Sequence, residues 1–177
     1  MTYPIHDVVN RQSVKDLKIL LNQKNCDIEC ENDTGLTPLH LALKKKYYGY
    51  SIELVECLIK HGADVNHIDY SFRTPLQTAA ENLFAPGVKL LLDAGAKVNA
   101  QNCDTGYTAL HYACGAKRMG IADSKERVVK RLLAAGIDIN CKNKCGQTAL
   151  HIALKKRDEH VVKKLLSKGA DVSIQDN

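Results

Sequence analysis

Thr37-Pro38-Leu39-His40 is followed by Leu41-Ala42-Leu43, and the same short block returns along the chain. It reads Pro4-Ile5-His6, Thr74-Pro75-Leu76-Gln77, Thr108-Ala109-Leu110-His111 and Thr148-Ala149-Leu150-His151 elsewhere. The second position of each block falls at 4, 38, 75, 109 and 149, giving steps of 34, 37, 34 and 40. A second block keeps pace with it: Gly62-Ala63-Asp64-Val65-Asn66, Gly95-Ala96-Lys97-Val98-Asn99, Gly136-Ile137-Asp138-Ile139-Asn140 and Gly169-Ala170-Asp171-Val172-Ser173, with Asp27-Ile28-Glu29 as a worn copy. Between the two lie apolar pairs such as Leu58-Ile59, Leu91-Leu92 and Leu132-Leu133.

Each block has a physical reading. Threonine followed by proline or alanine starts a helix: the hydroxyl caps free N–H groups and proline fits the first turn. Leu39, Ala42 and Leu43 then fall at helical spacing. Leu54, Val55, Leu58 and Ile59 form the broader apolar stripe of a second helix. The glycine after that stripe marks a left-handed helix stop, and an extended segment leads to a turn such as Asp33-Thr34-Gly35 or Lys144-Cys145-Gly146. One such unit cannot bury its own apolar faces; stacked neighbours can.

The coupled blocks resemble the ankyrin repeat family, whose period is about 33 residues with a Thr-Pro-Leu-His block. The expected fold is therefore an all-α repeat protein, a solenoid of stacked helix-turn-helix-hairpin units forming one array over residues 1–177. The repeats span about 1–31, 32–65, 66–98, 99–139 and 140–173, and a sixth hairpin begins at 174–177. The resemblance implies a concave side lined by hairpin tips and first helices. It implies a structural role for His6, His40, His111 and His151, each linking its own threonine to a neighbouring hairpin backbone. Asn66, Asn99 and Asn140 each follow a leucine by eight residues, which is similar to the pattern of asparagine hydroxylation in animal ankyrin repeats.

Composition excludes several classes. Of the 177 residues, 45% are apolar and 25% charged, too apolar for wholesale disorder. Aromatics are 5% and tryptophan is absent, so the core is aliphatic. No apolar run approaches the roughly 20 residues of a membrane helix, and no secretory signal is visible at the start. The net charge of +5 is only mildly basic, and the basic residues are 19 lysines against six arginines, which disfavours nucleic acid as a partner. The seven cysteines contain no C-x-x-C pair, so they read as free thiols of a reducing compartment, cytoplasmic or nuclear, and no metal or other cofactor is expected. If the chain comes from a virus or an intracellular bacterium, that compartment is the host cytosol. No nucleophile constellation or phosphate loop is present, so no enzyme is expected.

Departures from the repeat carry the individual information. The longer steps place extra residues around 44–51 and 117–124, between the two helices of repeats two and four. Each is expected to lengthen that link or add a helical turn. Phe72 stands at the turn-glycine position of repeat three, where the left-handed region is hard for a bulky residue, so that tip is expected to be distorted. The last repeat is as apolar as the internal ones, which suggests a C-terminal end covered by further repeats or a second chain.

The expected activity is a non-enzymatic protein–protein interaction module, acting as adaptor, inhibitor or host-directed factor. Alternatives are the substrate-recognition segment of a larger protein such as a ubiquitin-ligase receptor, and a regulator resembling the inhibitors of NF-κB. The expected contact residues are Leu36, Tyr70, Arg73 and Tyr107 at the hairpin tips and Leu41, Tyr112 and Ile152 on the first helices. Tyr47, Tyr48 and Tyr50 join them from the first insertion. Lys44-Lys45-Lys46 and Lys155-Lys156-Arg157 end two first helices and offer a basic groove to an acidic or extended segment of a partner protein, unless they are only a solvated face.

Overall fold

The computed structural model describes residues 4–23, 25–44, 51–117 and 123–177. Ten helices lie among these residues and no strand does. They are α1 (Pro4–Asn10), α2 (Val14–Leu21), α3 (Pro38–Leu43), α4 (Ile52–Lys60), α5 (Pro75–Glu81), α6 (Ala85–Asp93), α7 (Ala109–Gly115), α8 (Asp123–Ala134), α9 (Ala149–Lys155) and α10 (Glu159–Ser167). Each odd helix packs on the even helix that follows. The odd helices also pack in sequence from α1 to α9, and the even helices from α2 to α10, so the chain is a two-layer stack of five helix pairs.

The caps form as the repeated block predicts. Thr37 Oγ1 accepts from the amide of His40, with Pro38 in the first turn of α3. Thr74 and Gln77 make a reciprocal capping box on α5. Leu39, Leu58, Leu76, Leu91, Leu110, Leu132 and Leu165 are fully buried, each contributing about 2 kcal/mol of transfer free energy. Ala79, Ala80, Ala113 and Ala153 are fully buried as well, and their small side chains let the first helices approach closely. The second helices end as expected: the amide of Ala63 donates to the carbonyl of Leu58 at 3.1 Å, closing the turn over Gly62, and Ala96, Ile137 and Ala170 repeat the bond.

The links inside the repeats fall into two kinds. Repeats one, three and five turn on a single left-handed residue, Gln12, Leu83 and Arg157. Repeats two and four, which carry the extra residues, leave the first helix through an extended residue, Lys44 (ψ 131°) and Ala116 (ψ 139°). Most of the extra segments, residues 45–50 and 118–122, lies outside the described residues. In repeat four the second helix has 12 residues, against 8 or 9 in the others, and it takes in Asp123 and Ser124 of the extra segment.

The third hairpin tip corrects an expectation. Phe72 does take a positive φ of 57°, yet the turn is not distorted. Asp69 N donates to Arg73 O at 3.0 Å and Phe72 N to Asp69 O at 2.8 Å, matching the Asn32–Leu36 and Asn143–Gln147 turns. The Asp69 carboxylate accepts the amides of Ser71 and Arg73, as Asn32 and Asn143 do in their own turns. These bonds hold phenylalanine in a region that costs a side-chain-bearing residue about 1–2 kcal/mol. At the other end of the array, Asn177 N donates to Cys145 O at 3.1 Å, just as Lys144 N donates to Thr105 O at 3.0 Å one repeat earlier.

Candidate functional site

The repeated histidines are tied into the scaffold. His40 Nε2 donates to the carbonyl of Arg73 at 3.2 Å, which leaves Nδ1 bare to accept the Thr37 hydroxyl at 2.9 Å. His111 spans Thr108 and the carbonyl of Gln147 in the same way. His6 reaches the carbonyl of Leu36 at 2.8 Å, and the Cys30 thiol stands 3.7 Å from its Nδ1. His151 takes the Thr148 hydroxyl at 2.9 Å. Burial lowers the pKa of His40 to about 4, because imidazolium cannot be solvated there, and it shifts His111 in the same direction. Of the remaining histidines, His61 and His160 are exposed, but His67 is half-buried, with Nε2 3.0 Å from Glu31.

A second ladder joins the hairpins. Asn66 Oδ1 accepts the amide of Lys97, Asn99 that of Asp138, and Asn140 that of Asp171, all at 2.8–2.9 Å. Glu29 performs the same task on Asp64 at 2.8 Å. The asparagines singled out as modification candidates therefore hold one repeat to the next.

Four of the expected contact residues come together. Tyr107, Tyr112, Ile152 and Lys155 line one open cleft of about 530 Å³ running from α5 to α9, together with Lys117 and Lys156. The two tyrosine rings meet edge to face, centroids 5.3 Å apart, and Tyr107 also stacks on His111 at 5.4 Å. The aromatic wall is thus braced by its own scaffold. Burial raises the pKa of the Tyr112 hydroxyl, which keeps it protonated at neutral pH.

Arg73 is committed inside the molecule. Its guanidinium bonds Asp69, whose side chain is buried, at 3.0 Å and Glu81 at 2.7 Å. Glu81 also borders the cleft, so this bond offsets its charge and leaves Lys117, Lys155 and Lys156 to set the sign of the site. Sequence reading missed Glu81, at the far end of α5 from its partner, which lies eight positions back just before the helix start.

Three expected outward residues are not outward. Leu36, Leu41 and Ile152 are all buried. Leu36 lies beneath the clamp that His6 makes on its carbonyl. Leu41 lies with Val9, Asn10 and Gln12, where the preceding repeat covers it. Ile152 packs towards Gly115 of α7 and shows the cleft only an edge. By contrast, Tyr70 is 64% exposed and Lys44 is half-buried. Tyr47, Tyr48 and Tyr50, like Lys45 and Lys46, lie outside the described residues.

A buried ion pair also escaped the sequence reading. Lys125 Nζ lies 3.2 Å from Asp158 and 3.4 Å from the carbonyl of Cys114, with both side chains almost wholly buried. Among the described residues no three His, Cys, Asp or Glu side chains converge as metal ligands, and no helix is long and apolar enough to cross a membrane.

The family described as "Ankyrin repeats (3 copies)" matches residues 5–102, 73–123 and 101–176. The chain is 35% identical over 157 residues to the mouse B-cell lymphoma 3 protein homolog, an alignment covering 86% of this chain and 32% of that protein. It is 33% identical over 156 residues to the chicken nuclear factor NF-kappa-B p105 subunit, covering 85% of this chain and 15% of the relative. It is also 35% identical over 97 residues to the putative ankyrin repeat protein FPV014 of fowlpox virus, covering 54% of this chain and 21% of that protein. The chain thus spans about a third or less of the length of these curated relatives. With the family match running from residue 5 to residue 176 over a stack of clamped helix pairs, the chain belongs to the ankyrin-repeat family.

Proposed function

We propose that this chain is a non-enzymatic interaction module that holds an extended, acidic segment of a partner protein in the cleft between α5 and α9. Ankyrin repeats are protein-interaction modules, and the cleft supplies the chemistry. A braced tyrosine pair offers apolar area at little entropic cost, and three lysines with Glu81 already neutralised favour carboxylates. The lysines steer the encounter, and the histidine and asparagine ladders keep the surface preorganised. This chemistry fits the cytoplasm or the nucleus, where free cysteines persist.

The observation that carries the reading is the meeting of Tyr107, Tyr112, Lys155 and Lys156 in one open cleft. Fluorescence anisotropy with a labelled peptide of alternating leucine and glutamate tests it against the lysine counterpart. The acidic peptide is expected to bind and the basic one not. Lys155→Glu/Lys156→Glu should weaken binding about tenfold, as should doubling or tripling the salt. Equal binding of the two peptides overturns the reading.

The likeness to the p105 subunit and to B-cell lymphoma 3 proteins supports one setting for such a module, an NF-κB-type regulator. The fowlpox relative supports another, a viral factor acting in a host cell.

A further inference from the structure

We propose that the outward ridge of α8 and α10, on the second-helix layer of repeats four and five, is a peripheral docking surface for a membrane bearing anionic lipid headgroups. The inference goes beyond the reading of the cleft and does not rest on it, because no residue of the ridge lines the cleft.

The register of the repeats places the charges. Two positions before the recurrent leucine of each second helix stand Lys18, Glu56, Lys89, Lys130 and Lys163. Helical periodicity sets this position opposite the buried stripe, which is Val128, Val129 and Leu132 on α8 and Val161 and Leu165 on α10. One row of side chains therefore runs along the outside of the second-helix layer, and its character changes along the array. Repeat two puts Glu56 there, and in repeat three Lys89 is held by Asp93 of its own helix. Repeats four and five differ. Among the described residues no carboxylate comes within ion-pair distance of Lys130, Arg131, Lys163 or Lys168, and Lys164 meets Glu126 of α8 only at 4.0 Å. Because α8 and α10 pack side by side, about 10 Å apart, these cations share one face. The five outnumber Glu126 and Glu159, the carboxylates one turn before Lys130 and Lys163.

The chemistry of the ridge selects its occupant. Four of the five cations are lysines, hydrated point charges on flexible stems. They suit a diffuse anionic field better than the bidentate grip on one carboxylate or phosphate that arginine gives. Lys130, Lys163 and Lys168 are exposed on an open helix face, with no walls to hold an extended peptide in one register. A headgroup layer needs no walls, because its anions diffuse laterally to meet the lysines. A cluster of about four to eight basic side chains is what an anionic leaflet attracts.

Flotation of the intact chain with lipid vesicles tests this, one set of phosphatidylcholine alone and one with about a third phosphatidylserine. The chain is expected to float with the anionic set only, and to be released when the salt is raised about threefold. Lys130→Glu/Lys163→Glu should raise the lipid concentration for half-binding at least about tenfold. Both side chains are exposed, so this variant should melt as the parent does. Lys155→Glu/Lys156→Glu makes the same change of net charge in the cleft and should alter lipid binding less than about twofold. Conversely, Lys130→Glu/Lys163→Glu should bind the acidic peptide of the cleft assay as the parent does, so either reading can fail alone. No flotation with anionic vesicles, equal flotation with neutral ones, or equal losses in the two charge-reversed variants overturns the proposal. Loss of the acidic peptide on Lys130→Glu/Lys163→Glu without loss of lipid binding also overturns it, and makes the ridge a protein surface.

Discussion

Gln77 donates from Nε2 to the backbone carbonyl of Tyr107 at 3.2 Å, in the place where His40 Nε2 donates to the carbonyl of Arg73, also at 3.2 Å. A second bond from the same amide nitrogen reaches Ala100 at 2.9 Å. Repeat three therefore keeps the clamp between hairpin and helix with a side chain that does not titrate, whereas repeats two and four keep it with a buried imidazole.

That difference gives the array a directional pH dependence. Folding lowers the pKa of His40 from its ordinary value of 6.5 to about 4, so the unfolded chain binds the proton more readily. Stability is then full above about pH 6.5 and falls as the pH drops towards 4. At pH 5 the loss from His40 alone is about 2 kcal/mol, and His111, lowered in the same direction, adds to it. His40→Gln/His111→Gln copies the Gln77 solution and should flatten the curve between pH 7 and pH 5. Urea unfolding at the two pH values measures it, and an undiminished slope would show that other groups set it.

The repeat was legible in the chain because its punctuation is chemical: a capping threonine, a proline or alanine in the first turn, and a glycine at the stop each act within a few residues of themselves. The cleft was legible in part. Tyr107 and Tyr112 announced themselves as aromatics beside a helix start, and Lys155 as the end of a basic run. Leu36 and Leu41 were misread because outwardness depends on how far each repeat rotates against the one before, a property of packing. Lys125 was hidden for a different reason. It sits among Asp123, Ser124, Glu126 and Arg127, a run that reads as a solvated helix start, and its partner lies in another repeat.

The asparagine ladder predicts a local weakness. Asn99 Oδ1 is the 2.8 Å acceptor for the amide of Asp138. Asn99→Ala should cost about 1 kcal/mol, the net worth of one such bond. Hydrogen exchange should quicken at the Asp138 amide well before any change appears in α3 or α5, because stacked repeats transmit little beyond their neighbours. Unchanged protection at Asp138 would mean that water replaces the side chain at no loss.

Two glycines separate backbone strain from crowding. Gly62 (φ 90°) has nothing within 4 Å of where a Cβ would stand, while at Gly106 (φ 71°) a Cβ would lie 2.8 Å from the backbone nitrogen of Lys144. Gly62→Ala should cost about 1 kcal/mol for the left-handed conformation alone. Gly106→Ala adds a clash with the next hairpin, whose Lys144 amide is bonded to Thr105, and should exceed that value at least twofold. Thermal melting of the two variants compares them directly, and equal losses would show that the fifth hairpin yields freely.

The Lys125–Asp158 pair should behave as a lock between the last two repeats. Lys125 ties α8 to the carbonyl of Cys114 on α7 and to the carboxylate of Asp158, which also caps α10 by accepting the amide of Val161 at 3.4 Å. Lys125→Met removes the ammonium 3.2 Å from that carboxylate, whose side chain is buried, so the expected loss is about 3 kcal/mol. Asp158→Ser keeps an oxygen for the cap while removing the charge. The double variant Lys125→Met/Asp158→Ser leaves neither a buried ion nor an open cap and should regain most of what the single lysine change lost. A double-mutant cycle by urea unfolding therefore has a definite sign: strong coupling if the pair is the lock, and additive losses if each side chain stabilises the stack through its own packing.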